Sequence, residues 1–233
     1  MYYVLGVDNV VECTIIRRVN KFVVYVGING VIEKAYLCNT GRLNQYIVAG
    51  KKGFCIEKPS KKTRYRLIAI EDNGYAAIVD TWLQMKAFEK CVRDNVIPWL
   101  KEYRIVRRSP RVDNVVLDYM VSRDKNIGYI EVKSAVLRSV DGYAMYPDTR
   151  SIRGERQLLK LTELASRGTT AFLIFIAAIP FAKGFKPNID VSPWFYELLK
   201  KAYNMVVVKA IGLLYSPFDS RIYLYSNDLG VYI

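Results

Sequence analysis

Histidine is missing altogether from the 233 residues. Without imidazole no Ser-His-Asp or Cys-His machinery and no histidine general base can be assembled, and a zinc site would need thiolates and carboxylates alone. Cysteine is scarce: Cys13, Cys38, Cys55 and Cys91 are widely separated with no Cys-x-x-Cys pair. That spacing argues against a metal knuckle or a disulfide framework and leaves four small, buried or half-buried thiols. The longest apolar run, around residues 170–179, falls far short of the roughly 20 residues a membrane span needs. No basic-then-apolar leader opens the chain, so the reading is a soluble, cytoplasmic protein. Also missing are a G-x-x-x-x-G-K-[ST] loop, a G-x-G-x-x-G turn after a strand and a G-x-S-x-G elbow. Nucleotide-triphosphate, dinucleotide and serine-hydrolase chemistries therefore fall away.

What is present is positive charge. Lysine and arginine number 35 against 22 acidic residues, a net charge of +13. The surplus is spread along the chain, with 12 basic and 7 acidic residues up to Asp80 and 23 and 15 beyond it, so it is not one basic tail. Charge of this sign favours polyanions, because each cation set against a phosphate releases counterions. Apolar residues at 52% and aromatics at 13% suffice for one large or two small packed cores.

The first 80 residues read as short strands. Asn29-Gly30 and Asn73-Gly74 are the dipeptides that favour type I′ hairpin turns, and each is flanked by apolar, β-branched runs. About five strands with no helix make a small barrel or sandwich, most economically a five-stranded OB-type barrel. The pattern changes at Asp80. Trp82, Leu83, Met85, Phe88, Cys91 and Val92 recur at helical spacing, with Asp80 or Thr81 as the cap. Strands follow at 103–108, 114–121 and 128–137, then a helix at 151–166 stopped by Gly168, a strand at 171–179, a helix at 193–204 and late strands at 205–214 and 221–225. The second part, residues 81–233, thus reads α-β-β-β-α-β and then α-β-β.

Asp118 is expected within an apolar strand, and Glu131-Val132-Lys133 follows thirteen residues later. Side chains alternate across a strand, so Glu131 and Lys133 share a face. If the two strands pair through a turn near 124–128, Asp118 sits beside Glu131. Two carboxylates and the Val132 carbonyl suit a hard cation such as Mg²⁺ or Mn²⁺, with Lys133 to hold water or steady charge on a phosphate. A surface carboxylate and a strand-face ion pair is the other reading of the same residues.

The order Asp, about a dozen residues, then Glu-x-Lys on an αβββαβ core resembles the PD-(D/E)xK nuclease superfamily. A closer resemblance covers nearly the whole chain. Leu37-Cys38-Asn39-Thr40-Gly41-Arg42-Leu43, Leu117-Asp118-Tyr119-Met120, the run from Tyr129 through Glu131-Val132-Lys133 to Leu137, Gly142 to Pro147-Asp148, and Arg153-Gly154 stand in order. Together they are similar to the motifs of the sugar fermentation stimulation protein A family. The resemblance implies an N-terminal OB-fold over 1–80 joined to a PD-(D/E)xK nuclease-like domain over 81–233. It also implies DNA binding without sequence specificity and a regulatory link to sugar metabolism. It assigns Asp118, Glu131 and Lys133 to the acidic, acidic and lysine positions, and Asn39, Thr40, Gly41, Pro147, Asp148, Arg153 and Gly154 to the family loops. The chain departs from the pattern at Leu37-Cys38, where the family has Cys-Pro, and at Ile152, Glu155 and Gln157, which replace Glu, Gln and His. Glu89, on the helix after Asp80, is the candidate for a further metal carboxylate.

Three basic clusters mark the expected phosphate path. The first is Lys51, Lys52, Lys58, Lys61, Lys62, Arg64 and Arg66, the second Arg104, Arg107, Arg108 and Arg111, and the third Arg150, Arg153 and Arg156. Tyr25, Tyr36, Phe54 and Tyr65 are the rings of the first part available either for base stacking or for hairpin packing. The leading expectation is a DNA-binding protein with a Mg²⁺- or Mn²⁺-dependent nuclease site at Asp118, Glu131 and Lys133. The competing one is a DNA-binding regulator of sugar metabolism with an inactive nuclease-like domain. Expected partners are DNA, single- or double-stranded, or RNA, and a second copy of the chain, with no membrane.

Overall fold

The computed structural model describes residues 1–58 and 62–233, so the expected phosphate contact at Lys61 lies outside the described residues. The chain opens with β1 (Tyr2–Gly6), followed by β2 (Val10–Asn20), β3 (Val23–Ile28), β4 (Val31–Leu37), β5 (Lys52–Glu57), β6 (Tyr65–Asp72) and β7 (Tyr75–Ile78). Pairing runs β2-β3-β4-β6-β5 and back to β2, with β4–β6 parallel and every other pair antiparallel, which closes a five-stranded barrel. Its interior is the buried half of each alternating strand: Cys13 and Ile15, Val24 and Val26, Ala35 and Leu37, Cys55 and Leu67. Both Asn-Gly turns behave as their sequence dictates. Asn29 and Gly30 take φ of 50° and 79°, and Asn73 and Gly74 take 54° and 78°, the paired left-handed residues of a type I′ turn.

The barrel does not begin at the first residue. β1 pairs with the last strand of the chain, β17, and β7 pairs with β6 on one side and touches β16 on the other. The division at residue 80 therefore needs its first strand moved: apolar Val4 belongs to the second sheet's core, while the barrel starts at β2.

The second domain contains α1 (Thr81–Arg93), β8 (Arg104–Arg108), the two-residue strands β9 (Arg111–Val112) and β10 (Val115–Val116), β11 (Tyr119–Arg123), β12 (Asn126–Ala135), β13 (Ala144–Tyr146) and α2 (Ile152–Ser166). It ends with β14 (Thr170–Ala177), β15 (Phe185–Pro187), α3 (Pro193–Ala202), β16 (Val207–Ser216) and β17 (Arg221–Leu229). Strand order is β8-β11-β12-β14-β16-β17-β1, with β12, β14 and β16 parallel and the flanks antiparallel. This is the α-β-β-β-α-β order read from the sequence, with α3, β16 and β17 appended. β14 is buried almost end to end, as a central parallel strand covered on both faces must be. The three helices are capped by Asp80, Ser151 and Ser192, whose side chains accept from the backbone N–H three residues on.

The expected strand through Asp118 is broken. β10 ends at Val116 and β11 starts at Tyr119, so Asp118 lies in the gap between them. Of the cysteines, Cys13, Cys55 and Cys91 are buried and Cys38 is half-buried, all as free thiols. Among the described residues no helix is long and apolar enough to cross a membrane.

Candidate active site

The β11–β12 hairpin turns over Asp124-Lys125 and pairs Tyr119 with Ile130, so one further step puts Asp118 opposite Glu131. The break at Asp118 has a cause. Its Oδ2 accepts the Val132 N–H at 2.8 Å, the position a strand carbonyl would otherwise fill, while its own carbonyl accepts from Ser109 at 2.9 Å. The carboxylate is thus fixed to the backbone of the Glu-x-Lys strand.

β12 lies between β11 and β14, and its charged pair is correspondingly buried: Glu131 is 2% exposed. Lys133 Nζ donates to Glu131 Oε1 at 2.8 Å and to Gln157 Oε1 at 2.7 Å. Gln157 Nε2 in turn donates to the Val116 carbonyl at 2.9 Å, so its amide is used at both ends. Glu131 Oε2 is buried with no hydrogen-bond partner among the described residues. Such an orphaned acceptor costs about 1–3 kcal/mol, and more for a charged group. Burial, with help from the Asp118 charge, pushes the Glu131 carboxyl up to about 8 against the pull of Lys133. Burial acts against the Lys133 ammonium, but Glu131, Tyr146 and Asp118 outweigh it and hold the group above the ordinary lysine range.

Tyr146 approaches the pair from β13. A Cβ on Gly154 would come 2.7 Å from the Tyr146 hydroxyl, so the bare backbone of α2's first turn is what admits the ring. This gives Gly154 of the Arg-Gly motif a steric role.

An orphaned, buried carboxylate oxygen beside a second carboxylate and the Val132 carbonyl is a donor set that fits a hard divalent cation. Among the described residues no three acidic or thiol side chains gather in a way that could cage an ion. A cation at Asp118 and Glu131 would therefore keep several positions for water or phosphate, as Mg²⁺ does. Glu89 does not join them. Arg108 grips it with Nε at 2.7 Å and Nη2 at 2.6 Å, and the Tyr119 hydroxyl donates to it at 3.0 Å, so both oxygens are engaged. Glu89 anchors an arginine instead of offering an open metal ligand. An open groove of about 480 Å³ runs past Glu89 and Asp118, lined also by Trp82, Lys86, Arg93 and Arg108.

The basic clusters separate by role. Arg66 is buried, bound by Nε and Nη2 to Asp80, and unavailable to a phosphate, because α1 packs its first turn over the outer face of β6. Lys51 donates to the Gln45 carbonyl at 2.8 Å, while Lys52 and Arg64 pair with Glu12 and Glu57 at the surface. Lys58 and Lys62 are exposed. Arg104, Arg107 and Arg108 line an adjoining open hollow of about 860 Å³, and Arg111 is exposed beyond it. Arg153 and Arg156 are exposed at the start of α2, and Arg150 stands 3.5 Å from Glu155. Arg153 is near enough for its charge to act on Glu131. Of the four rings named from the sequence, Phe54 and Tyr65 belong to the core, and Tyr36 is exposed.

The loop motifs meet each other. Asn39 folds its own loop, accepting from Gly41 N–H at 2.8 Å and donating to the Val79 carbonyl at 3.0 Å. Asp148 crosses from the second domain to accept the Leu43 N–H at 3.0 Å. Arg18 was not singled out by sequence, yet it donates to the carbonyls of Asn39, Gly41 and Arg42. Gln157 reads from the sequence only as a departure from a family pattern, and the structure places it on the buried face of α2 with Gly154, Leu158 and Leu161.

Two family models match the chain in succession: SfsA N-terminal OB domain over residues 16–79 and Sugar fermentation stimulation protein RE domain over 82–217. The chain belongs to the sugar fermentation stimulation protein family. Curated SfsA homologues in Pyrococcus furiosus and Archaeoglobus fulgidus are 43% and 39% identical to it, covering 98% and 97% of this chain and 99% and 98% of theirs. A solved structure of the Pyrococcus furiosus SfsA, in complex with Ca²⁺, superposes with a TM-score of 0.95 at 42% identity over 100% of both chains.

Proposed function

We propose that this SfsA homologue binds nucleic acid and hydrolyses its phosphodiester bonds at Asp118, Glu131 and Lys133 with a divalent cation, Mg²⁺ or Mn²⁺. The observation that carries the reading is the unpartnered Glu131 Oε2, buried close to Asp118, and Asp118 itself borders a cation-lined groove. The Ca²⁺ complex of the Pyrococcus furiosus relative supports a divalent site in the family. A cation held by the two carboxylates and the Val132 carbonyl would supply Lewis-acid stabilisation of a phosphoryl oxygen and a more acidic water. The chain's own groups do the rest. Asp118 is positioned by the Val132 N–H, so its carboxylate is pre-aimed before any ligand arrives. Lys133 has three N–H donors, two of which go to Glu131 and Gln157, leaving one for a substrate oxygen. Gln157 keeps that ammonium in place when Glu131 turns its charge toward a cation. Arg108, held by Glu89 on the groove wall, and Arg153, whose charge reaches Glu131, suit the phosphates on either side of a scissile bond.

A second reading, a DNA-binding regulator whose nuclease-like domain is inactive, is favoured by the closed Glu131–Lys133 ion pair and the engagement of Glu89. Incubation of the protein with single-stranded, duplex and supercoiled DNA and with RNA, with Mg²⁺, Mn²⁺ or EDTA, separates the two. Cleavage that needs the metal and disappears in Asp118→Asn and Glu131→Gln supports the enzyme. Salt-sensitive binding without cleavage under any condition supports the regulator, and cleavage that survives in both variants removes the site assignment.

A further inference from the structure

The first turn of α1 carries a ring that neither domain covers. Trp82 is 44% exposed and lines the same groove as Asp118, with Lys86, Arg93 and Arg108 also on its walls. Three cations surround the indole: Lys86 Nζ at 4.0 Å, Arg66 Cζ at 4.7 Å and Lys58 Nζ at 5.6 Å from the ring centroid. They are of two kinds. Arg66 is buried and fixed by Asp80, whose Oδ1 also accepts the Leu83 N–H at 2.8 Å to cap the helix, so this guanidinium is part of the mount that holds the ring. Lys58 and Lys86 are exposed and free to exchange the ring for another partner. On the barrel side, β4 sets Tyr36, 38% exposed, directly opposite Arg66. A second accessible ring thus borders the same guanidinium, and the two rings come from different domains.

We infer that Trp82 is a stacking platform for an unpaired nucleobase, and that the groove from Trp82 to Asp118 takes a single strand of nucleic acid rather than a duplex. The inference rests on the nucleic-acid reading above and specifies its substrate class. Every base presents a π-face, but in a duplex both faces are covered by neighbouring pairs, so a solvent-facing indole has a partner only in a single strand. Lys86 follows Trp82 by one helical turn, and its ammonium passes from the ring to the adjacent phosphate as the base arrives. The Asp80–Arg66 mount keeps the ring in register with Asp118, since both residues border one groove and each is held in place, the ring by the capped α1 and Asp118 by its bond to the Val132 N–H.

The test is fluorescence anisotropy with labelled (dT)₁₂ and with a 12-base-pair duplex, in EDTA so that nothing is cleaved. Trp82→Ala is expected to weaken (dT)₁₂ binding by about tenfold or more while leaving duplex binding within about twofold. Trp82→Phe should recover most of the loss, and Trp82→Leu, apolar but without a π-face, should not. Indole emission of the wild type should be quenched by (dT)₁₂, and that quenching should be absent in Trp82→Phe even though Trp99 and Trp194 remain. If Trp82→Ala unfolds at a lower temperature than the wild type, the comparison of Phe with Leu decides alone. Parallel weakening of both probes, or equal (dT)₁₂ affinity in the Phe and Leu variants, would overturn the inference and leave the nucleic-acid reading standing. Failure of the wild type to bind either probe would remove both.

Discussion

Asp148 occupies the space a side chain on Gly41 would need: a Cβ there would lie 2.5 Å from Asp148 Oδ2, the same oxygen that accepts the Leu43 N–H. The Asn39-Thr40-Gly41 loop of the barrel and the Pro147-Asp148 loop of the second domain are therefore one joint. Gly41→Ala forces the carboxylate away and should cost about 1–3 kcal/mol. Asp148→Ala, which strands the Leu43 N–H, should cost about the same. Denaturant midpoints of the two variants and the double variant test the relationship. In the Asp148→Ala background the added methyl should be nearly free, and simple additivity would disprove the steric link.

Arg66 belongs to the fold and not to the phosphate path. Arg66→Ala leaves Asp80 buried without its counter-ion and should destabilise by about 3–5 kcal/mol. Lys52→Ala and Arg64→Ala remove exposed, screened pairs and should leave stability almost unchanged. If these two cations meet phosphates, each substitution should lower the salt slope of DNA binding by about one unit. Thermal unfolding and salt titration, run on all three variants, separate the two roles.

Gln157 supports the site through Lys133. Gln157→Leu keeps the helix face apolar but removes the acceptor for Lys133 and the donor to Val116. By analogy with other residues that orient a ligating shell, metal affinity or cleavage should fall about 10–100-fold. Gln157→Glu, which retains the acceptor, should bind Lys133 but repel Glu131 and so recover only part. An unchanged Gln157→Leu would remove this residue from the site.

The Glu131 carboxyl, raised to about 8 from an ordinary 4.5, makes cation binding depend on pH. Because the folded value exceeds the unfolded one, the group's contribution to stability is present below about pH 4.5 and is lost as pH rises through about 8 in cation-free protein. An ion needs the carboxylate form, so Ca²⁺ affinity should rise about tenfold per pH unit up to about 8 and level off above it, with a proton released on binding. Calorimetry in buffers of different ionisation enthalpy reads that proton. Glu131→Gln should abolish the dependence, and a flat wild-type profile between pH 6 and 8 would contradict the burial argument.

Local rules were enough to reach much of the molecule. Two Asn-Gly turns mark hairpins of the first part, helical spacing after Asp80 marks α1, and strand alternation places Glu131 and Lys133 on one face. What the chain did not disclose depends on distant partners. Arg66 reads as one more cation of a basic loop, and only the docking of α1 on β6 turns it into a buried counter-ion. Glu89 reads as a helix carboxylate near the site, and only the return of β8 brings Arg108 to claim it. Asp118 reads as a strand residue because its neighbours are apolar, whereas the Val132 N–H, fourteen positions away, is what bends the chain there. β1 reads as the first strand of the nearest barrel, and its true partner lies at the other end of the sequence.

That last pairing sets an order of assembly during synthesis. The barrel's strands are all in hand once Asp72 has left the ribosome, but the seam of Tyr2 with Leu224 must wait for the 152 residues from 73 to 224 to follow. At roughly 5–20 residues per second the interval is on the order of ten seconds. During it, Tyr2, Tyr3 and Val4 form an unpaired edge on a nascent chain whose first folded unit is already complete. A stalled or truncated translation product would then be a closed barrel trailing one sticky strand, a natural target for holding chaperones and for strand exchange between neighbouring chains.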